Sequence, residues 1–308
     1  MTMLTKKSLF LVKEEATYGT DPTPVVATNS ILAMDVDLKE ITPPTERNVQ
    51  MMYLGTKKSI SGLKHVELTF KIEVMGSGSA GTAPRLGDLL ESCGMDETIA
   101  GGASATYEAV SSGHKSCTIY VFKDGRHYVI SGCMGTFKLS CIAGNQAILE
   151  FTMKGLYADP TNVALSAPTY ESTIPPVCKA TTFTFDSKTT LIVSQLEIDM
   201  GNVVAMRESL AGTEGIAGFT VTERKPVMTL NPEAQIQTSY DYRGDRLTTE
   251  FAVSYVIGGT AGNICTVTVP KYNITGIEYA DDEGILIEQL TGDCDISSGD
   301  DDVKLAFT

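Results

Sequence analysis

The run VELTFKIEV at 66–74 places Val66, Leu68, Phe70, Ile72 and Val74 on one face, and Glu67, Thr69, Lys71 and Glu73 on the other. A period of two is the period of a strand, and one polar face means a half-buried strand of an antiparallel sheet. The pattern recurs in MDVDLKEI (34–41), where Asp35, Asp37 and Lys39 point outward, and in GTFKLSC (135–141) and ILEFTMK (148–154). VFKDGRHYVI reads as a hairpin turning at Asp124-Gly125, a favoured pair for a two-residue turn. A chain dominated by this alternation is expected to be mainly β.

Helical signals are few. APRLGDLLESCG (83–94) has Pro84 near its start and Gly94 as a stop. NPEAQIQTSYDYRG (231–244) offers Asn231 as a cap, Pro232 at the first helical position and Gly244 past the end. LYADPTNVALSAPTYESTIPPVCK (156–179) has neither period and holds four prolines, so it reads as a linker. The expected organisation is a first β module with an N-terminal arm over 1–160, a linker over 161–180 and a second β module over 181–308.

The two halves also align with each other. At an offset of 160, Asp37-Leu38 falls on Glu197-Ile198, Gly55 on Gly215 and Thr69-Phe70 on Thr229-Leu230. At 148, CTIYV (117–121) meets CTVTV (265–269); at 141, Gly135 meets Gly276; at 137, Ile148-Leu149 meets Ile285-Leu286 and Gly155 meets Gly292. Offsets that change only in loops are what a duplicated sheet module tolerates.

Composition narrows the function. With 42% hydrophobic residues in 308, the chain can bury a real core. A formal net charge of −14 repels phosphates instead of neutralising them, which argues against a nucleic-acid binder. Seven cysteines without a C-x-x-C fit buried thiols in a reducing compartment. The apolar patch Leu9–Val12 is too short for a signal segment, and no run approaches the ~20 apolar residues of a membrane span, so a soluble protein without membrane insertion is expected.

No motif carries chemistry. GSGSAG (76–81) spells G-x-G-x-x-G, but TAP separates it from the helix and its flanks are antiparallel, so it reads as a loop and not a dinucleotide site. DCDISSGDDD (293–302) departs from a calcium loop: its glycine is one position late and Lys304 stands where glutamate is required. His65, His114 and His127 lack metal spacing, and there is no nucleophile elbow. No enzyme activity, catalytic residue, cofactor or metal is expected.

Several stretches resemble the tail tube proteins of long-tailed bacteriophages. They are LFLVKEEATYGTDPTPVVATNSILAMDVDL, RNVQMMYLG, GSGSAGTAPRLGDLLESCGMDET, ATYEAVSSGHKSCTIYVFKDGRHYVISGCMGTFKL and LEFTMKGLYADPT, with LEIDMGNVV, TVTERKPVMTL and GGTAGNICTVTVP in the second half. The resemblance spans nearly the whole chain. It implies tandem tail-tube-type β-sandwich or half-barrel modules, each with a short flanking helix. It also implies a structural virion protein, made in the host cytoplasm, of siphophage type, that stacks as rings into a hollow tube. The implied partners are further copies of itself, a tape-measure protein in the lumen during assembly, and viral DNA passing without specific binding during ejection into the host. With two modules per chain, three chains would complete a pseudo-sixfold ring; six chains are the alternative. The competing reading is a β-sandwich binding module such as an adhesin or capsid-decorating protein.

Two sets of site residues follow. Thr42, Pro43, Arg47, Tyr53 and Lys57 lie in a long loop without alternation, expected to order with the N-terminal arm on a neighbouring subunit or ring. Asp35, Asp37, Glu67, Glu73, Glu197, Asp199 and Glu223 are the candidates for an acidic lumen wall that holds phosphates off.

Overall fold

The computed structural model describes residues 3–4, 6–179, 182–186, 188, 190–236, 240–246 and 248–308. The strands are β1 Ser8–Glu14, β2 Ser30–Ile31, β3 Ala33–Ile41, β4 Pro44–Thr45, β5 Ile60–Ser61, β6 His65–Glu73, β7 Met95–Ala100, β8 Ser104–Ala109, β9 Cys117–Lys123, β10 Arg126–Ile142, β11 Ile148–Leu156 and β12 Thr161–Asn162. They continue with β13 Phe183–Phe185, β14 Val193–Asp199, β15 Val203–Glu208, β16 Ile216–Glu223, β17 Val227–Pro232, β18 Phe251–Ile257, β19 Cys265–Asp282, β20 Ile285–Asp295 and β21 Lys304–Phe307. The helices are α1 Gly87–Ser92 and α2 Tyr242–Asp245. The chain is mainly β, as its alternation predicts.

One antiparallel row runs β3-β6-β11-β10-β14-β17-β20-β19. Its first four strands repeat in its last four. Ala33 pairs with Ile72 as Val193 pairs with Pro232, and Leu38 pairs with Leu68 as Ile198 pairs with Met228, all at the offset of 160. A β-bulge follows the first of these pairs in both copies. Phe70↔Phe151↔Phe137 becomes Leu230↔Leu290↔Ile277. In this register β11 and β20 are related by 139, not the 137 of the sequence alignment.

The Cys117 and Cys265 match is not an equivalence. Cys117 opens β9, which pairs with the first half of β10, whereas Cys265 opens β19 itself. The strand that sits on β19 as β9 sits on β10 is β18. Repeated Cys-Thr-β-branched openings reflect similar burial at strand starts, which alignment by type alone cannot distinguish.

The long strands β10 and β19 pass from this row into a second layer. There β10 continues into β9-β1-β2, and β19 continues into β18-β13 on one edge and β21-β8-β7 on the other. Hydrogen bonds of β8 to β21 bring residues of the first half into the sheet of the second. The apolar faces of both layers meet in one core, from Phe10, Leu68 and Phe151 through Leu196 to Phe185, Tyr272 and Leu305. Phe70 stacks on Phe151 at 5.4 Å and Phe137 lies 5.9 Å from the same ring. Each such buried ring contributes about 1.5–3 kcal/mol.

Turn and helix chemistry is mostly as expected. Asp124 and Gly125 both take positive φ, +46° and +95°, as the two-residue hairpin turn requires. α1 lies within the first helical stretch, buries Leu89 and Leu90, and ends before Gly94 at φ +81°. The second helical reading is corrected: Asn231 and Pro232 belong to β17, and α2 starts ten residues later, capped by Asp241, which accepts from the amides of Arg243 and Gly244. Gly244 is inside α2. The apolar alternation Met228, Leu230, Pro232 extends the sheet and overrides the capping signal.

GSGSAG is a packed loop. The Gly78 amide donates to the Gly262 carbonyl, and a Cβ at Gly76 would stand 2.1 Å from that same oxygen. Its glycines allow two backbones to touch. The cysteines are free and buried, as expected.

Candidate functional site: a polar sheet face, two strand edges and an open arm

The first feature is the outer face of the row. Asp35 and Asp37 on β3, Glu67 and Glu73 on β6, and Glu197 and Asp199 on β14 alternate with buried or, on β3, half-buried residues of one continuous sheet, so they share its outer face. Glu223 does not join them; it lies at the end of β16, off the row. The alternation already put Lys39 and Lys71 on these polar faces, but it did not pair them with the carboxylates. Lys39 binds Asp37 at 3.0 Å, Lys71 binds Asp35 at 3.2 Å, Lys138 binds Glu197 at 3.0 Å and Lys154 approaches Glu67 at 3.9 Å. Asp37 lies two residues from Lys39 on the same strand; the other three partners sit one strand across, which only the register reveals. Glu73, Glu150 and Asp199 add negative charge on the same face. The face is negative, and its lysines are tied to carboxylates.

The second feature is a pair of edges. β10 offers one edge to β9 along Arg126–Cys133 and then to β14 along Lys138–Ile142. β19 offers the corresponding edge to β18 along Cys265–Tyr272, and among the described residues no strand takes the remainder. At the opposite end of the row, β3 pairs only with β6 among the described residues. The seam between β10 and β14 is closed by Leu139↔Ile198 and Cys141↔Leu196 inside and by the Lys138–Glu197 ion pair outside. Thus the chain holds one filled seam, and among the described residues the edges of β19 and β3 that correspond to its two sides are unpaired.

The third feature is the segment 42–61. Thr42, Pro43, Arg47, Tyr53 and Lys57 are all exposed, as are nearly all their neighbours. Only Pro44↔Ser61 and Thr45↔Ile60 pair, with a Gly62 amide bond to the Pro43 carbonyl at the base. The same offset of 160 relates this hairpin to β15–β16, where Val204 pairs with Val221 and Ala205 with Thr220. β15–β16 is longer and buries Ile216 and Phe219, because it lies on the first copy. There the Tyr18 hydroxyl donates to the Gly132 carbonyl at 3.0 Å and accepts from the Phe219 amide at 2.6 Å.

The N-terminal stretch is not a free arm over its strand. Ser8–Glu14 forms β1 between β2 and β9, with Leu9–Val12 buried. The adjoining EEATYG anchors the bend of β10. The buried Glu15 carboxylate accepts from Ser116 Oγ, Thr118 Oγ1 and the amides of Gly19 and Gly132. Four donors satisfy a charge that would otherwise be costly to bury. No sequence period marks Glu15 as buried.

A second titratable cluster borders α1. Burial pushes the Asp88 carboxyl up to about 6 and that of Glu91 up to about 7, and Lys115 partly offsets both. Lys115 meets Glu91 at 2.5 Å and Glu14 at 3.4 Å. The acidic loop near the C-terminus is held internally. Arg224 binds Asp302 at 2.7 Å and Asp300 at 3.2 Å, and Asp301 accepts from the amides of Ser297 and Ser298. Among the described residues no cluster could hold a metal ion, and no helix is long and apolar enough to cross a membrane.

These features define a class: a mainly β protein whose prominent surfaces are strand edges and a sheet face. The family model described as phage tail tube protein matches residues 5–304, so the chain belongs to that family. It is therefore a structural tail protein, and the family implies self-association into a tube and a place in the virion. No curated protein matches the chain.

Proposed function

We propose that this protein closes into rings of three chains, each chain supplying two modules, and that the rings stack into the hollow tail tube of a siphophage-type virion. The observation that carries this reading is the filled β10–β14 seam beside the empty edges of β3 and β19. An unsatisfied strand edge favours pairing, and a head-to-tail contact that repeats with one rotation closes a ring. Two modules per chain make three chains the count for a pseudo-sixfold ring.

The polar row face lines the lumen in this reading. A tape-measure protein occupies the channel during assembly in the host cytoplasm, and DNA later passes through on ejection. Carboxylates hold the phosphates off, and lysines already bound to carboxylates offer them little. The chemistry needed is passage without adhesion, so the protein works without catalysis or cofactor.

Negative-stain microscopy of the concentrated protein is the test. Stacked rings or tubes are expected. A monodisperse monomer at every concentration would overturn the assembly reading, and one chain per sixty degrees in a symmetry-resolved reconstruction would overturn the trimer.

A further inference from the structure

We infer that the open segment 46–59 of each chain docks in the acidic cleft of the neighbouring chain's second copy, completing there the hairpin that β15–β16 already forms within the chain. The inference rests on the ring reading above. It is carried by the offset of 160, which relates the two hairpins pair for pair.

β15–β16 shows what such a hairpin does when its support is present. It crosses the filled seam and lies against residues 63–65 of the first copy. Leu63 packs on Gly215, Lys64 meets Glu214 at 3.8 Å, and the His65 and Phe219 rings are 6.0 Å apart. At the same offset, residues 63–65 correspond to 223–225. Arg224 and Lys225 there border an open cleft of about 550 Å³, lined also by Asp293, Asp295, Asp300 and Asp302. No described segment of the chain fills it as β15–β16 fills its counterpart.

The occupant suited to this cleft is the hairpin that lacks a support. The segment 46–59 carries Arg47, Lys57 and Lys58 against one carboxylate, Glu46, in a chain whose net charge is −14. The cleft has the opposite balance: four aspartates face two cations, which pair with Asp293, Asp300 and Asp302 and leave a net negative charge. Met52, Tyr53 and Leu54 are 88%, 74% and 108% exposed, so docking also removes apolar surface from water. Repetition of the β10–β14 seam between β19 and the next chain's β3 carries this hairpin to that cleft. Docking extends the two-pair ladder to Glu46↔Ser59 and Arg47↔Lys58, the counterparts of Met206↔Phe219 and Arg207↔Gly218.

The test is zero-length carbodiimide cross-linking of tubes assembled from mixed isotope-labelled and unlabelled chains, read by peptide mass spectrometry. Cross-links from Lys57 or Lys58 to Asp293 or Asp295 of a different chain are expected, and only after assembly. Tubes in which these lysines join other carboxylates, or none, would overturn the inference while leaving the ring reading intact. Failure to form any assembly would overturn the ring reading itself. The triple substitution Arg47→Glu, Lys57→Glu, Lys58→Glu lies on an exposed segment and should leave the monomer's melting temperature unchanged. It should raise the concentration needed for assembly roughly tenfold, because like charges then face each other. An unchanged threshold would also count against the docking.

Discussion

Tyr18 and Glu15 sit three residues apart and hold the bend of β10 in place through Gly132. Gly132 has φ +60°, and a Cβ there would lie 2.8 Å from the Tyr18 ring, so the close approach requires glycine. Tyr18→Phe should cost about 1–2 kcal/mol, since the buried Phe219 amide loses its acceptor. The loss should show as faster amide exchange confined to β15–β16. At Asp88 and Glu91 the folded pKa lies above the unfolded value, so the folded chain binds those protons more tightly. Their stabilising contribution is present at low pH and is lost as pH rises through about 6 and about 7. Asp88→Asn should therefore gain about 1–2 kcal/mol at pH 8 relative to pH 5, allowing for its partial exposure. Equal changes in thermal stability at the two pH values would refute this. The sequence marked Asp88 only as part of a helix; its altered affinity for protons comes from the walls around it.

At the scale of elements, alternation located β3, β6, β10 and β11, and Asp124-Gly125 located the hairpin between β9 and β10. Those signals are local: a side chain's face and a turn's φ depend on immediate neighbours. The second helix was misplaced because its capping residues were drawn into a sheet by partners far along the chain. The equivalence of 42–61 with β15–β16 was half legible, since Gly55 and Gly215 already aligned. What the sequence did not show is that one hairpin has a support and the other lacks it. The amides of β19 between Asn273 and Asp282 that point away from β20, and those of β3 that point away from β6, should therefore exchange readily in the monomer and gain protection in the tube. Likewise, proteolysis should cut between Thr42 and Lys58 only before assembly. Equal protection in both states would mean that these edges and this hairpin stay open.

For the whole molecule, the relevant property is charge distributed on one face of a continuous sheet. Six of the seven acidic residues proposed from sequence share that face, and Glu223 does not. Glu73→Lys should slow DNA ejection without preventing assembly, because a free cation would then meet passing phosphates. Unchanged ejection kinetics would remove Glu73 from the lumen wall. The sequence alone determined the strand character, the polar face of each strand and the presence of a repeat, because a period of two and a fixed offset are properties of the chain itself. Only the tertiary structure decided which strand edges are filled, which lysine binds which carboxylate and which hairpin stands unsupported. Those depend on register between residues far apart in the chain, where a slip of one position reverses every face.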